Sequence, residues 1–509
     1  MQTGKNPLVC SVRAVTPDET AASEAAALAK GWTEDQLLDV AGGNLGNAIA
    51  RFFRTPGTAI GYLGKGHNAA DTLVALRILR DQFGWKIAVR AAFSTSDFAP
   101  LTLKKWQELG LKQALDQPPS SQNLRIPILL LDGLLGSGGD GPLRPPILAA
   151  LQEMSSLRRQ SGARIAAIDL PSGVDPQTGE TQTGAAVADV TFMLGNAKIG
   201  LLTAIAANHT GALALVPVEP LTLEGSGTLA AITPQTASYG KTPRSFDFHK
   251  GMAGRVAIYA GSCDYPGAAA LAATGALRAG AGLITLFVPP PCVADISAKC
   301  PSEIIIRGLE NPLEILNTRF DALVTGCGLG EMDDLTSDRL LELIEKSNSP
   351  VVIDAEALNL IARRAATSIL TARHLLTPHP GEFARLAPDL AALPRETAAQ
   401  RFTARHPSTL LLKGSRTLIC HPGQPLLCNT TGTPGMASGG QGDLLAGVIG
   451  ARLAVQDSLP HAAALSAWLC GRAAEIALTL PHLSEESLTA SDVSLQLGAA
   501  YRDWKTSSR

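Results

Sequence analysis

None of the eight cysteines forms a C-x-x-C pair, and the nine histidines are scattered. That spacing excludes a compact zinc site and gives no sign of a disulfide framework, so reduced, mostly buried thiols are expected. Basic blocks and basic amphipathic stretches are missing as well. Lys and Arg number 43 against 45 Asp and Glu, a formal charge of -2. This excludes nucleic acid as a partner and leaves any anionic ligand to be held by local sites. No apolar run reaches membrane-spanning length, and the amino-terminal stretch lacks the charged start and apolar centre of a secretory signal. A cytoplasmic protein with no membrane partner is the expectation. Neither a short repeat nor a coiled-coil heptad is visible.

What is abundant is glycine, 49 residues of 509, which suits α/β folds with tight turns. The length exceeds what one hydrophobic core organises, so two domains or more are expected. Apolar strand-like runs at 58–63, 86–92, 126–131, 164–170, 190–194 and 213–218 alternate with helical stretches such as 71–80. That rhythm predicts a parallel sheet covered on both faces. Between 219 and 245 it lapses into Pro, Gly and Ser. It resumes at 254–260 and continues through 283–288, 322–325, 351–354, 368–370, 410–413 and 416–419. The reading is α/β, with two tandem domains, 1–218 and 246–509, a linker at 219–245, and only the last three residues loose.

The most informative stretch is 431–443, where Gly432, Gly435, Gly439, Gly440 and Gly442 precede Asp443 and an apolar helical run. Glycines let a backbone approach a ligand closely, and a helix start presents free N–H groups, so the segment is built for an anion. An acid at its rim fits a site that also removes a proton; the plain alternative is a helix cap. The helix start also favours the ionised carboxylate. Residues 249–254, 261–271, Asp354 and 377–383 stand at strand ends and would converge there. Singly they are weak: Asp354 could be a cap, His379 a surface turn residue, and Lys413 a solvating charge at a strand end.

In order along the chain, His249-Lys-Gly, the 261–271 segment, Asp354-Ala-Glu-Ala-Leu-Asn-Leu, Thr377-Pro-His-Pro-Gly-Glu-Phe, Leu412-Lys-Gly-Ser and the 431–443 loop resemble the ADP/ATP-dependent NAD(P)H-hydrate dehydratases. The resemblance covers roughly 240–500 and implies a ribokinase-like fold. It implies phosphoryl transfer from ADP or ATP to the hydroxyl of the S epimer of hydrated NADH or NADPH, followed by loss of phosphate. On it, Asp443 is the base, and the amides around Gly439, Gly440 and Gly442 stabilise the transferring phosphoryl group. Lys413, Gly414, Ser415, Arg416, Thr417 and Gly442 touch the nucleotide, while Ala268, Gly328, His379 and Asp443 touch the hydrate. Mg2+ is inferred from the chemistry of phosphoryl transfer. Cys470 stands where the family commonly has His.

In the first half, 64–71, 131–138 and 168–175 each follow an apolar strand, so Asn68, Asp132, Asp169 and Ser172 could gather at one sheet edge. Oxygen ligands of this kind suit a hard cation; strand-end turns and caps are the plain alternative. These segments, with Ala41-Gly-Gly-Asn and Asn196-Ala-Lys-Ile-Gly, resemble the NAD(P)H-hydrate epimerases over about 15–218. A Rossmann-like three-layer domain and a homo-oligomer are implied. So are a potassium ion (K+) on Asn68, Asp132 and Ser172, hydrate contacts by His67, Asn68, Asp71 and Asp169, and a catalytic role for Asp169. His67-Asn-Ala-Ala-Asp-Thr72 departs from the family's Asn-Asn-Gly-Gly-Asp-Gly. The methyls of Ala69 and Ala70 are expected to narrow the space for substrate phosphates and weaken the epimerase. The function expected is repair of hydrated NADH and NADPH by both activities. The alternative is a vitamin or sugar kinase carrying a non-catalytic amino-terminal scaffold.

Overall fold

The computed structural model describes residues 11–138, 141–221, 227–234 and 244–506. Both chain ends, including the three residues read as loose, and the 222–226 and 235–243 parts of the expected linker lie outside the described residues. The chain divides into two compact units, Val12–Ala231, and Met1–Ser11 with Ile232–Arg509. A short strand, Leu229–Ile232, falls within the stretch read as linker.

The amino-terminal unit holds six parallel strands in the order Lys86–Ala91, Thr58–Leu63, Ile128–Gly133, Arg164–Ile168, Val190–Leu194 and Ala212–Val216. Strand side chains alternate between faces. Ala59, Leu63, Leu129, Leu131 and Ile168 therefore pack with Leu45, Ile49, Leu73 and Leu76 of helices Glu34–Phe52 and His67–Phe83. Ile60, Tyr62, Leu130 and Ile165 pack on the other side with Ile147, Leu151 and Met154 of helix Pro145–Ser161. The result is three layers. The order in which strands are added reverses between Thr58–Leu63 and Ile128–Gly133, which opens a crevice beyond their carboxyl ends. There the two following turns touch: a Cβ on Gly64 would lie 1.9 Å from the Leu134 carbonyl oxygen.

The carboxy-terminal unit repeats the principle. From strand Arg255–Tyr259 the sheet extends one way through Leu283–Val288 to Ile305–Gly308, and the other way through Ala322–Thr325, Val351–Ile353, His374–Leu376 and Thr409–Leu412. These pair in parallel; Leu418–Cys420 and Leu426–Cys428 then add antiparallel. The strand expected at 368–370 is instead a 3-10 turn, Thr367–Ile369. Its role passes to His374–Leu376, since three apolar residues alone do not distinguish a turn from a short strand. Helices Pro266–Arg278 and Gln441–Ala454 lie against each other at backbone distance. A Cβ on Gly447 would stand 1.9 Å from the Ala272 carbonyl oxygen, so only glycine permits the contact. Among the described residues no helix is long and apolar enough to cross a membrane.

One cysteine expectation is overturned. Cys263 and Cys292 form a disulfide with Cα atoms 5.1 Å apart. They sit in turns that follow neighbouring strands, 29 residues apart in sequence, a proximity no local spacing reveals.

Candidate active sites

In the carboxy-terminal unit the topological reversal falls between strands Arg255–Tyr259 and Ala322–Thr325. The turns after them meet: the Gly261 N–H donates to the Cys327 carbonyl at 2.8 Å. A Cβ on Gly328 would lie 2.5 Å from that of Ala268. These two expected hydrate contacts are thus neighbours on one crevice wall. The 249–254 segment does not join them. Gly254 packs against Ala454, at the far end of the helix that begins beside Asp443. Fourteen helical residues separate the two by about 20 Å.

Asp443 occupies the first turn of helix Gln441–Ala454, behind Gly440 at φ +88°. This helix start carries no side-chain capping hydrogen bond, so nothing supports the cap reading. Asp443, Asp354 and Cys327 bring a carboxylate oxygen each and a thiol within 4.8 Å of one another. Burial, and after it the charge of Asp354, push the Asp443 carboxyl up to about 6. The expectation that the helix start keeps this acid low is therefore corrected. Desolvation of a half-buried carboxylate outweighs a terminal dipole worth about 0.3–1 kcal/mol at an exposed site. A base near 6 remains mostly ionised at neutral pH and accepts a proton well.

Around this pair the chain assembles a small charge network. Asp354 ends strand Val351–Ile353 and has the backbone of a helix cap, yet its side chain caps nothing. It accepts instead from Thr377 Oγ1 at 2.8 Å and from Lys413 Nζ at 2.9 Å. Lys413 is mostly buried and also stands 3.9 Å from Glu382, so it is no solvating charge. Burial works against its ammonium, but Asp354 and Glu382 prevail and hold its pKa above the ordinary value. Cys327 is fully buried and its thiol is pushed far up, by burial first and then by Asp354 and Asp443. The neutral S–H points at Asp354 Oδ2, 3.8 Å away. Cys327, Thr377 and Glu382 had no role in the sequence reading. Glu382 could have been found, because it closes a capping box three residues after His379.

That box settles what His379 does locally. Its Nδ1 accepts from the Gly381 N–H at 3.0 Å, and Glu382 Oε2 accepts from the His379 N–H at 2.8 Å. The ring edge stays half exposed. In the loop after Thr409–Leu412, Gly414 and Ser415 are exposed, Thr417 Oγ1 donates to the Gly414 carbonyl at 3.2 Å, and Arg416 is buried. Arg395 braces this loop through the Leu412 and Lys413 carbonyls. Cys470 is buried within helix Leu459–Ala477.

The three loop glycines are not equivalent. A Cβ on Gly440 would meet Leu271 at 2.4 Å, besides the left-handed backbone. One on Gly442 would meet Lys413 Nζ at 3.3 Å, and one on Gly439 would meet nothing within 4 Å. Gly440→Val is therefore expected to cost stability, by about 1–2 kcal/mol from backbone handedness alone. Gly439→Ala should leave the denaturant midpoint unchanged while raising the KM for nucleotide roughly tenfold, a loss of about 1.4 kcal/mol of binding. Paired denaturation curves and nucleotide titrations check both.

In the amino-terminal unit, the crevice is a cavity of about 550 Å³ lined by His67, Asn68, Asp71, Asp169, Lys198 and Glu24 among others. His67 opens the helix and is exposed. Asp132 is fully buried and receives Ser172 Oγ at 2.7 Å, the Ser172 N–H at 2.8 Å and the Leu134 N–H at 3.3 Å. Burial still raises its pKa against those bonds. Asn68 gives its Nδ2 to the Leu135 carbonyl at 2.7 Å, and its buried Oδ1 has no hydrogen-bond partner. A buried acid and an orphaned amide oxygen on adjoining turns are the donor chemistry of a hard cation. Ala69 and Ala70 are 1% and 0% exposed and do not line the cavity. Their methyls face protein, because helix His67–Phe83 turns these positions inward, so the crowding expectation is corrected.

A family model described as NAD(P)H-hydrate dehydratase matches residues 256–494, and one described as YjeF-related protein N-terminus matches 34–200. The chain is 32% identical over 489 residues to the bifunctional NAD(P)H-hydrate repair enzyme Nnr of Gloeobacter violaceus, covering 90% of this chain and 92% of that one. It is 31% identical over 512 residues to the Nnr of Hyperthermus butylicus, covering 94% and 91%. Among solved structures, the ADP/ATP-dependent NAD(P)H-hydrate dehydratase of Bacillus subtilis, co-crystallised with ATP and Mg2+, is similar at 26% identity and a TM-score of 0.44. It covers 52% of this chain and 94% of its own.

Proposed function

The chain belongs to the family of bifunctional NAD(P)H-hydrate repair enzymes, and on that premise we propose how its two crevices divide the work. The protein repairs NAD(P)H hydrates by epimerisation and dehydration. Epimerisation falls to the amino-terminal cavity and nucleotide-dependent dehydration of the S hydrate to the carboxy-terminal crevice. The observation that carries this is Asp443, a base held at about 6 beside a glycine-led helix start.

In that crevice the S hydrate lies against Ala268, Gly328 and the His379 edge, with its C6 hydroxyl toward Asp443. Asp443 takes the hydroxyl proton as oxygen attacks the terminal phosphorus of ADP or ATP. The Gly439, Gly440 and Gly442 amides receive the growing phosphoryl charge. Lys413 is fixed by Asp354 for the same purpose; Gly414, Ser415 and Thr417 border the nucleotide, and buried Arg416 supports the turn from within. Loss of phosphate then restores the dihydronicotinamide. Mg2+ suits this site as an ion carried by the nucleotide, where it would neutralise phosphate charge. Cys327 and the Lys413-bound Asp354 offer it no oxygen cage. In the amino-terminal cavity, Asn68, Asp132 and Ser172 would hold K+, a fixed positive charge beside the substrate phosphates.

The test is the purified full chain given pure R or pure S hydrate of NADH, with ADP, ATP or neither. Dihydronicotinamide absorbance should return from both epimers, and only with nucleotide. A stable phosphorylated product of some other small molecule, with no absorbance regained, would replace this reading by a kinase.

A further inference from the structure

Asp71 is the most unusual acid in the amino-terminal unit. It is 7% exposed, lines the cavity, and its Oδ1 has no hydrogen-bond partner. A buried carboxyl oxygen left unbonded at a cavity wall is either costly or reserved for a ligand. The same cavity is lined by Asp169, held in a different manner. Its backbone is left-handed at φ +66°, a strained conformation for a residue with a side chain, of the kind that gathers at functional sites. Asp169 is ion-paired with Lys198, and its Oδ1 accepts from the Leu194 N–H at 3.0 Å. Lys198 is 2% exposed and is tethered by the Leu194 carbonyl at 2.9 Å.

Resting on the epimerase reading of this cavity, we propose that Asp71 is a second catalytic group there, working with Asp169 as an acid–base pair, with Lys198 as the positioning residue. Inversion at C6 requires the hydroxyl to leave one face and return to the other. The protonated carboxyl gives its proton to the C6 oxygen. The C6–O bond breaks with its electron pair on oxygen, and water departs as the lone pair of ring N1 forms an N1=C6 bond. Water then adds from the opposite face, the N1=C6 pair returns to nitrogen, and the other carboxylate takes the proton. One water leaves and one enters; one proton is given and one taken. The reverse direction uses the same two groups in exchanged roles.

The environment of Asp71 suits the acid. Burial, then the charges of Asp169 and Glu24, raise its pKa far above the ordinary carboxylate value, with Lys198 opposing. Glu24, on helix Pro17–Ala29, is raised likewise by burial and by Asp169, against Lys198 and His67, with Glu34 adding. Like charges facing one cavity favour the protonated form of Asp71.

The test uses the full chain and pure R hydrate of NADH, read as R-to-S conversion above the spontaneous rate, in water labelled with heavy oxygen. The parent should take up solvent oxygen at C6 in step with conversion and show a bell-shaped pH profile. Asp71→Asn, close in shape to the protonated acid, should convert about 10²–10⁴-fold more slowly and lose one limb of the bell. Conversion by Asp71→Asn within threefold of the parent, while Asp169→Asn has none, overturns the proposal and leaves the epimerase reading intact. Full conversion by both variants overturns the reading itself. Should Asp71→Asn fail to fold, the parent still decides: catalysed conversion without oxygen uptake means the C6–O bond never breaks, and the pair has no such role.

Discussion

Asp443→Asn should lower kcat for S-hydrate dehydration by about 10²–10⁴-fold, the range for a positioned acid–base group. Asparagine keeps the shape of the side chain in the first helical turn but cannot accept the hydroxyl proton. Nucleotide affinity should change little, because the loop amides and Lys413 remain. The pH profile gives a sharper signature. With the Asp443 carboxyl at about 6, kcat/KM of the parent should rise with pH through that value as the base ionises, then level off. In the variant this limb should vanish. Removing the Asp354 charge should move the limb down only part of the way, since burial is the larger cause and Asp354 the second. Repair within tenfold of the parent, or an acid limb that survives the substitution, would dismiss Asp443 as the base.

The second large effect belongs to Asp169. Its replacement should abolish catalysed R-to-S conversion and leave turnover of S hydrate untouched, because on the proposed division of work the two activities draw on different crevices. The left-handed backbone makes asparagine the proper substitute; alanine would add strain of about 1–2 kcal/mol. Asp169→Asn removes the ion-pair partner of Lys198, 2% exposed, which stands to cost about 3–5 kcal/mol of stability. Lys198→Met in the same chain should recover most of that stability and none of the epimerisation, so thermal melts and R-hydrate turnover separate the two losses. A variant that slows R and S hydrates equally would place Asp169 outside a separate epimerase centre.

Both predictions start from residues the sequence already singled out. The glycines of 432–442 and the apolar helix behind them announce an anion site, because helix starts and glycine loops are local features. Strand runs leading to Asp132 in the first half and to Asp354 and Lys413 in the second mark the two crevices, since ligands gather where parallel strands end. Asp169 was legible on the same ground, and its left-handed backbone was not, because nothing in Ile168-Asp-Leu requires φ above zero. The opposite error arose at Ala69 and Ala70. A motif written as a line of residues does not say which side of its helix faces the cavity, and these two face the core.

The sequence by itself determined the α/β rhythm, the glycine loop and the acids at strand ends, since periodicity and backbone freedom are properties of neighbouring residues. Only the tertiary structure decided which charges meet. Cys327 and Lys413 against Asp354, Lys198 against Asp169, and Cys263 against Cys292 are joined by crossovers that return distant segments to one sheet edge. It also decided how those groups titrate. A carboxyl's proton affinity depends on the water it has lost and the charges packed around it, and both are set by the folded chain.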